Sequence, residues 1–339
     1  MGPHKVLHFG GLEVWPPLLL APMAGLTHSA LRTTILQFGG VGLLSTEMLS
    51  ASRLPTESQR CSPYLLRTRE ERPLSHQLLV TGEQHLPAAL ARLHAIGADA
   101  VDLNLGCPAP QVRKIGGGAL LMEQPPQVVR RIVTQARQHT NLPLSAKIRL
   151  GERLDKDKLR NFCLLLEGEG VDLLIVHARL RGEPFIRKPR WDWVAQVKQW
   201  LTIPVVVNGS IDSVASARAC LQISGADGLM IGRQAASTPW IFALIARELY
   251  HLPLPRPFIS LPAVYQHFVQ ALAERFPPER RLGRLKEFTH HFARNYPFGH
   301  HLASSVQASS TFAAARKRAA SFFLAQDPAQ AAVLLPEKP

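Results

Sequence analysis

Eight short apolar runs recur between residues 17 and 232, and helical patterns separate most of them. The runs are too apolar to alternate with polar residues, so each one predicts a strand that is buried on both faces, as in a parallel sheet. Stretches such as HLPAALARLHAIG and PPQVVRRIVTQARQH have the spacing of amphipathic helices. The predicted strands are PLLLAPM (17–23), VGLLSTEM (41–48), SHQLLV (75–80), DAVDLNLG (99–106), PLSAKIRL (143–150), VDLLIVHA (171–178), IPVVVNG (203–209) and ADGLMIG (226–232).

This alternation predicts an α/β fold, a (β/α)8 TIM barrel, because eight strand–helix units over about 235 residues match the size of that fold. A doubly wound open sheet is the alternative, but no Gly-x-Gly-x-x-Gly motif follows the first strand. The active site of such a barrel lies at the carboxyl ends of its strands. We therefore expect functional side chains among the residues at those ends: Pro22, Met23, Ala24, Glu47, Gln77, Asn104, Cys107, Lys147, Arg149, His177, Arg179, Asn208, Gly209, Gly232 and Arg233.

The pattern changes after residue 250. The segment 251–262 is rich in proline and predicts a linker, and helical segments follow near 262–276, 279–296 and 299–325. The predicted organisation is a barrel domain over 1–250, a linker over 251–262, a small helical-bundle domain over 263–330 and a tail over 331–339.

Charge suggests a class of partner. The formal net charge is +14 at pH 7 and the isoelectric point is about 10.2. A basic surface without a partner is one interpretation. A polyanionic partner is the other, because Lys and Arg gain free energy when they release counterions from phosphates. No apolar run reaches the roughly 18 residues of a membrane-spanning helix. The lack of an amphipathic membrane helix favours nucleic acid over an anionic membrane surface as the partner. The predicted helical domain carries much of the charge, in Arg280, Arg281, Arg284, Lys286, Arg294, Arg316, Lys317 and Arg318.

The four cysteines, Cys61, Cys107, Cys163 and Cys220, are far apart and have no metal-ligand spacing. We therefore expect neither a disulfide framework nor a metal site, and a reducing, cytoplasmic location. The start of the chain lacks the apolar core of a secretory signal. A monomer is expected, because no exposed apolar helix face stands out.

Glycines close the last two predicted strands, in VNGSI and MIGRQA. Such glycines let backbone N–H groups approach a phosphate, and barrels often bind phosphate after strands seven and eight. Arg233 can add a direct charge contact. Asn208, Gly209, Gly232 and Arg233 therefore predict a phosphorylated ligand, and two tight turns without a ligand are the alternative.

Polar residues end strands three, five and six. Gln77, Lys147 and His177 would point into one barrel mouth, where a flavin ring needs hydrogen bonds and a cation near N1 and C2=O. Lys147 suits the cationic role. Each residue alone has a structural explanation, so the prediction of a flavin site depends on all three side chains lying in the same barrel mouth.

Cys107 follows strand four in the stretch DLNLGCPAP. A free thiol is mostly protonated at neutral pH and can act as a general acid. A thiolate nucleophile is the second interpretation, but the local loop contains no His to activate it. The third is a buried, inert cysteine.

The motifs LAPMAGLT, STEM, HQLLVTG, DLNLGCPAP, GGGALL, AKIRLG, VHAR, VVNGSI and GADGLMIGRQAASTPWIF occur in that order. Together they resemble the bacterial tRNA-dihydrouridine synthases. The resemblance is strong over residues 15–250 and continues more weakly into RLGRLKEF, near Arg284 and Lys286. Other flavin barrels share only parts of this set.

The resemblance implies an FMN enzyme that uses NADPH as reductant and acts on tRNA. It implies hydride transfer from flavin N5 to C6 of uracil, with Cys107 donating the proton to C5. Asn104, Arg179, Arg284 and Lys286 are then expected to bind substrate. The expected cofactor-binding residues are Pro22, Met23, Ala24, Gln77, Lys147, His177, Asn208, Gly209, Gly232 and Arg233.

The chain departs from the family pattern at Arg113, Leu180, Glu183 and Phe185, so the choice of target uridine stays open. The nearby cations Arg179, Arg181, Arg187, Lys188 and Arg190 are expected to form a phosphate-binding rim. Two other functions remain as alternatives: a flavin barrel that reduces a small molecule, and an RNA-binding protein that retains a degenerate barrel.

Overall fold

Eight parallel strand positions follow one another around a barrel in the computed structural model, which describes residues 6–58, 62–253, 259–326 and 332–333. Two of the strand segments, β4 and β5, share one position and both pair with β6. The strands are β1 (Leu7–Phe9), β2 (Leu12–Val14), β3 (Leu18–Leu20), β4 (Leu44–Ser45), β5 (Leu49–Ser50), β6 (Leu74–Leu79), β7 (Ala100–Leu105), β8 (Leu144–Arg149), β9 (Leu173–His177), β10 (Val205–Asn208), β11 (Gly228–Ile231), β12 (Ile259–Ser260) and β13 (Ala332–Val333).

Helices separate most of the barrel strands and form an outer layer around them. They are α1 (Ser29–Leu36), α2 (Leu86–Ala95), α3 (Pro110–Lys114), α4 (Pro126–Gln138), α5 (Lys156–Gly168), α6 (Trp191–Trp200), α7 (Val214–Ser224), α8 (Gln234–Ser237), α9 (Ile241–Tyr250), α10 (Leu261–Arg275), α11 (Pro278–Phe292), α12 (Gly299–Gln307) and α13 (Phe312–Leu324). Three short 3-10 helices lie at Leu54–Thr56, Gly118–Glu123 and Ala293–Asn295. None of the helices in the described part of the chain is long and apolar enough to cross a membrane.

The sheet closes on itself, which confirms the predicted barrel. Its order is β3-β11-β10-β9-β8-β7-β6-β4, and Leu19 forms a parallel bridge with Leu43 between the two end strands. The amide of Leu20 also donates to the carbonyl of Leu43 at 2.9 Å. All barrel pairings are parallel, so every strand ends at the same rim.

A hairpin that the hydrophobic pattern did not predict seals the opposite rim. Strands β1 and β2 pair antiparallel, and Leu7, Phe9 and Val14 are buried. They belong to one apolar cluster with inward-facing residues of the barrel, among them Leu173 and Met230. The amino-terminal end of the barrel is therefore a packed hydrocarbon plug.

The outer helices form because their apolar residues repeat at helical spacing. In α4, Val129, Ile132, Val133 and Ala136 are buried, which places one stripe against the strands. Helix α7 begins with a capping box, in which the side chain of Ser213 accepts from the amide of Ser216 at 3.1 Å.

The last four helices, α10 to α13, form a bundle beside the barrel. The single helical segment predicted over 299–325 is wrong: α12 ends at Gln307 and α13 begins at Phe312. The hydroxyl of Thr311 caps α13 by accepting from the amide of Ala314 at 3.1 Å, and such a cap requires a non-helical residue. The predicted linker falls partly on residues 254–258, outside the described residues.

Polar contacts fix the bundle to the barrel. Arg275 of α10 donates to the hydroxyls of Ser29 (3.1 Å) and Thr33 (2.8 Å) on α1. Asn295, after α11, donates to the carbonyl of Ser237 at 2.7 Å. These hydrogen bonds position α11 and the residues after it over the rim where the strands end.

Candidate active site

A cavity of about 460 Å³ lies at the carboxyl ends of the strands. Register explains why side chains meet there: Asn104 of β7 lies beside Lys147 of β8, and Asn208 of β10 lies beside His177 of β9. The cavity brings together nearly all of the residues predicted from the sequence, namely Pro22, Met23, Ala24, Gln77, Asn104, Cys107, Lys147, His177, Arg179, Asn208, Gly209, Gly232 and Arg233.

A chain of buried hydrogen bonds orients the side chains on β6 and β7. Asn104 Nδ2 donates to Gln77 Oε1 at 2.7 Å, and Gln77 Nε2 donates to Asp102 Oδ2 at 2.6 Å. The hydroxyl of Ser145 donates to the other oxygen of Asp102 at 2.6 Å. Burial raises the pKa of Asp102, whereas these two hydrogen bonds and Lys147 oppose the rise. The network leaves Asn104 and Gln77 a single orientation each, and the sequence pattern did not reveal its member Asp102.

Backbone contacts hold Cys107 from both sides. Its amide donates to Asn104 Oδ1 at 3.0 Å, and its carbonyl accepts from the amide of Ala119 at 3.0 Å. Gly118 makes the second contact possible: its φ is +63°, and a Cβ there would lie 2.5 Å from the Cys107 carbonyl oxygen. The glycine-rich segment after Cys107 is thus required for the position of the thiol, which is partly exposed to the cavity.

Two of the other cysteines, Cys163 and Cys220, are buried free thiols in the core. Burial raises the pKa of both thiols, to about 12 for Cys220. Cys61 lies outside the described residues. Only Cys107, among the described cysteines, combines exposure with a place in the cavity.

Lys147 reaches across the barrel mouth and donates to Asn208 Oδ1 at 3.1 Å. Asn208 in turn donates to the carbonyl of Met230 at 2.8 Å, so its oxygen faces the ammonium. Burial and the positive charge of Arg149 lower the pKa of Lys147 to about 8, although Asp102 opposes the shift. At neutral pH the side chain remains mostly cationic and can serve an anionic ligand.

His177 is neutral, because burial and the neighbouring cations Lys147, Arg149, Arg179 and Arg233 lower its pKa strongly. Its Nε2 lies 3.1 Å from Arg179 Nη1. A guanidinium can only donate, so Nε2 accepts and the ring proton sits on Nδ1. His177 therefore presents an N–H donor rather than a further positive charge among these cations.

Arg179 is almost fully buried and holds the loop that follows β9. Its guanidinium donates to the carbonyls of Phe185 (3.0 Å) and Arg187 (2.6 Å), and to the hydroxyl of Ser210 (2.7 Å). Most of its donors are therefore used inside the protein, although the side chain borders the cavity.

Three of the four departures from the family pattern, Leu180, Glu183 and Phe185, lie in this loop, whereas Arg113 lies in α3. Glu183 accepts from both ends of the Arg190 guanidinium, at 2.5 and 2.6 Å, and from the amide of Leu180 at 3.0 Å. The ring of Phe185 enters the cavity, with its centroid 3.9 Å from the Arg233 guanidinium carbon and 6.0 Å from the His177 ring.

The predicted phosphate-binding rim is reduced by internal pairing. Arg181 forms an ion pair with Glu152, Arg190 pairs with Glu183, and Arg179 is buried. Within the described residues, only Arg187 and Lys188 of this set keep side chains without a hydrogen bond or an ion pair.

Two predicted substrate residues lie outside the cavity. Arg284 lines a neighbouring cavity of about 660 Å³, where its guanidinium stacks 4.9 Å from the centroid of the Phe276 ring. Lys286 borders neither of the two cavities. The two cavities share Ala24 and Met48, so they adjoin at the rim. The carboxylate of Glu47, predicted among the strand ends, is buried and accepts from the amide of Gly25.

The residues of the main cavity fit a phosphorylated flavin. Lys147, Arg149, Arg179, Arg233 and Arg294 all border it, and their charge suits an anionic ligand. A volume of about 460 Å³ falls within the range of cofactor pockets. A Cβ placed on Gly232 would lie 3.7 Å from the nearest atoms, which leaves room beside the backbone there. Over the described residues, no group of three or more His, Cys, Asp or Glu is placed to hold a metal ion.

The sequence is similar to those of dihydrouridine synthases. A family model described as "Dihydrouridine synthase (Dus)" matches residues 19–331. The tRNA-dihydrouridine(16) synthase of Aquipseudomonas alcaligenes is 33% identical over 289 residues, which cover 83% of this chain and 91% of that protein. The tRNA-dihydrouridine synthase B of Pseudomonas syringae pv. tomato is 34% identical over 79% of this chain and 77% of its own. The probable tRNA-dihydrouridine synthase 1 of Synechocystis sp. is 34% identical over 70% of this chain and 66% of its own.

Solved structures with the same barrel are more distant. A 2-naphthoyl-CoA reductase superposes with a TM-score of 0.54 at 11% identity, over 74% of this chain and 52% of that chain. A morphinone reductase superposes with a TM-score of 0.52 at 14% identity, over 76% of this chain and 93% of that chain. At these identities the likeness establishes the fold alone.

Proposed function

This chain belongs to the dihydrouridine synthase family, and on that premise we propose that it reduces the C5–C6 double bond of specific uridines in tRNA to dihydrouridine. One observation carries the proposal: a partly exposed cysteine, Cys107, shares a cavity with cations that suit a phosphorylated flavin. A thiol beside such a site can supply the proton that the reduction of a double bond requires.

The cofactor in this proposal is FMN, and NADPH is its reductant. The chemistry that FMN supplies when bound is the transfer of a hydride to C6 of the uracil ring. Lys147 and the Nδ1–H of His177 offer positive charge and a donor to the ring. The remaining ring contacts come from Pro22, Met23, Ala24 and Gln77, and the phosphate end is held by Asn208, Gly209, Gly232 and Arg233.

Cys107 donates its thiol proton to C5 of the uracil. The resulting thiolate lies near Lys147 and Arg149, whose positive charges stabilise it until solvent returns the proton. Asn104 holds the base: its Oδ1 accepts from the amides of Cys107 and Gly106, and its Nδ2 donates to Gln77 and keeps a second N–H for a uracil carbonyl oxygen. The same amide group thus aligns the proton donor and the base.

The target uridine must leave its stack to enter this cavity, which costs a few kcal/mol. Contacts between cations and RNA phosphates offset that cost, and the net charge of +14 provides them. We assign Arg284 to the RNA, because it lines the adjoining cavity under α11. Lys286, on the same helix, and Arg187 and Lys188 of the β9 loop are assigned to the RNA as well.

The experiment that tests this function uses the purified full chain, FMN, NADPH and unmodified tRNA transcripts. We expect a yellow protein that oxidises NADPH and forms dihydrouridine at defined positions, mapped by reverse transcription after borohydride treatment. A protein that binds FMN but leaves every uridine unchanged would contradict the assigned substrate. A protein that binds no flavin would contradict the assigned chemistry.

A further inference from the structure

One cation of the cavity does not come from the barrel. Arg294 lies in the 3-10 helix Ala293–Asn295, which follows α11 of the helical bundle, yet it borders the cavity beside Arg233. The positive charge of Arg294 contributes, after burial, to lowering the pKa of Arg233. The two guanidinium groups therefore repel each other across the junction of barrel and bundle.

The chain holds Arg294 at this place through its neighbour. Asn295 Nδ2 donates to the carbonyl of Ser237 at 2.7 Å and to the carbonyl of Phe292 at 2.8 Å. Ser237 is the last residue of α8, the short helix that begins directly after Arg233. One side-chain amide thus connects the segment that carries Arg294 to the segment that carries Arg233.

Neither guanidinium is neutralised by a residue that the structure describes. Across the described residues, Arg233 and Arg294 have no hydrogen-bond or ion-pair partner, and both are exposed to the cavity. Arg233 instead lies over the Phe185 ring, with its Cζ 3.9 Å from the ring centroid. Two adjacent, unpaired guanidinium groups are complementary to an anion with close to two negative charges.

A phosphate monoester carries about −1.5 to −2 charges at pH 7, and arginine matches its oxygens with paired donors. An RNA phosphodiester carries a single charge, so it would leave one of the two cations uncompensated. We propose that Arg294 binds the phosphate of the flavin cofactor together with Arg233, so that the helical bundle completes the cofactor site. The inference rests on the proposed function, because it assumes a phosphorylated flavin in the cavity.

Comparison of FMN with riboflavin tests this assignment, because the two differ only in the phosphate. Dissociation constants of the apo full-length protein for both flavins are measured by fluorescence quenching, for the wild type, Arg294→Gln and Arg294→Lys. We expect Arg294→Gln to weaken FMN binding about tenfold and to leave riboflavin binding unchanged, as loss of one charged contact predicts. Arg294→Lys retains the charge and should recover part of the loss.

Arg316→Gln is the matched control, because it removes one charge from an exposed position of the same bundle away from both cavities. Its FMN affinity should equal that of the wild type. An unchanged FMN affinity in Arg294→Gln would overturn the assignment, and so would equal losses for FMN and riboflavin. If Arg294→Gln instead weakens only the binding of tRNA, the residue contacts RNA and the assignment is wrong. A wild type that binds neither flavin would refute the proposed function itself.

Discussion

The side chains at the two ends of this barrel differ in polarity. At the amino-terminal end, Leu7, Phe9 and Val14 of the hairpin β1–β2 pack into a buried cluster of apolar side chains. At the carboxyl-terminal end, five cations and a buried chain of amides and carboxylate surround a cavity. Because all barrel strands are parallel, their carboxyl ends meet at the cavity, and β3, β7, β9, β10 and β11 also supply residues to the apolar cluster. The difference indicates that one end stabilises the fold, whereas the other carries an electrostatic cost that the proposed function explains by ligand binding and catalysis.

The most severe loss of activity is expected at the cavity end, from Cys107→Ala. Removing the proton donor should lower dihydrouridine formation by about 10²- to 10⁴-fold, the usual contribution of a general acid. The free energy of unfolding and the FMN affinity should stay close to those of the wild type, because the thiol has no packing role there. Single-turnover formation of dihydrouridine on a tRNA transcript measures the effect. Full activity in the variant would remove the acid role from Cys107.

The most severe loss of stability is expected at the plugged end, from Phe9→Ala. Deleting a buried phenyl ring should cost about 3–5 kcal/mol of unfolding free energy, because the rigid barrel cannot collapse around the gap. Urea titration measures the loss, and FMN affinity of the folded fraction should be unchanged. His8→Ala, on the exposed face of the same strand, should change stability by less than about 0.5 kcal/mol. Equal losses in the two variants would contradict the plug.

A smaller effect is expected from pH at the cavity end. The pKa of Lys147 is lowered to about 8, so the side chain loses its proton between pH 7 and pH 9. The loss of this cation should weaken FMN binding by up to about tenfold over that interval. In Lys147→Gln the change should disappear, because no proton is released there. A wild type and a variant with the same dependence on pH would show that another group titrates.

The smallest effect is expected from removal of a helix cap near the cavity, which should change stability but not cofactor binding. Ser213 caps α7 just beyond Gly209 and Ser210 but does not border the cavity. Ser213→Ala should therefore cost about 1 kcal/mol of unfolding free energy and leave FMN affinity unchanged. Asp155→Ala, which removes the cap of α5, should cost a similar amount. A large loss of FMN affinity in Ser213→Ala would show that residues outside the cavity lining also contribute to cofactor binding.

Much of the barrel could be predicted from the sequence because strands buried on both faces appear as continuous apolar runs. The run at 99–106 predicted β7 within one residue at each end. Most residues of the candidate site could also be predicted, because a barrel brings the carboxyl ends of all its strands to one rim. The roles of those residues remain predictions that the experiments above address.

Other features of the site could not be predicted, because they depend on contacts between residues that are distant in the sequence. The bundle places Arg294 in the cavity through the Asn295–Ser237 hydrogen bond, a contact between distant parts of the chain. Asp102 looked like an ordinary strand residue, and its role depends on which neighbour faces it. The hairpin was missed although a signal exists: LHF and LEV alternate on either side of two glycines, which is typical of a tight β-turn.

The hairpin also sets an order of events during synthesis. Its apolar side chains are made before any barrel strand, yet their cluster includes Met230 of β11, the last strand of the barrel. Leu7, Phe9 and Val14 therefore remain exposed to the cell while most of the chain is still being translated. Contacts of such long sequence separation form slowly, and exposed apolar surface promotes aggregation in the meantime. The hairpin that covers this end of the finished barrel is thus synthesised long before its last partner strand.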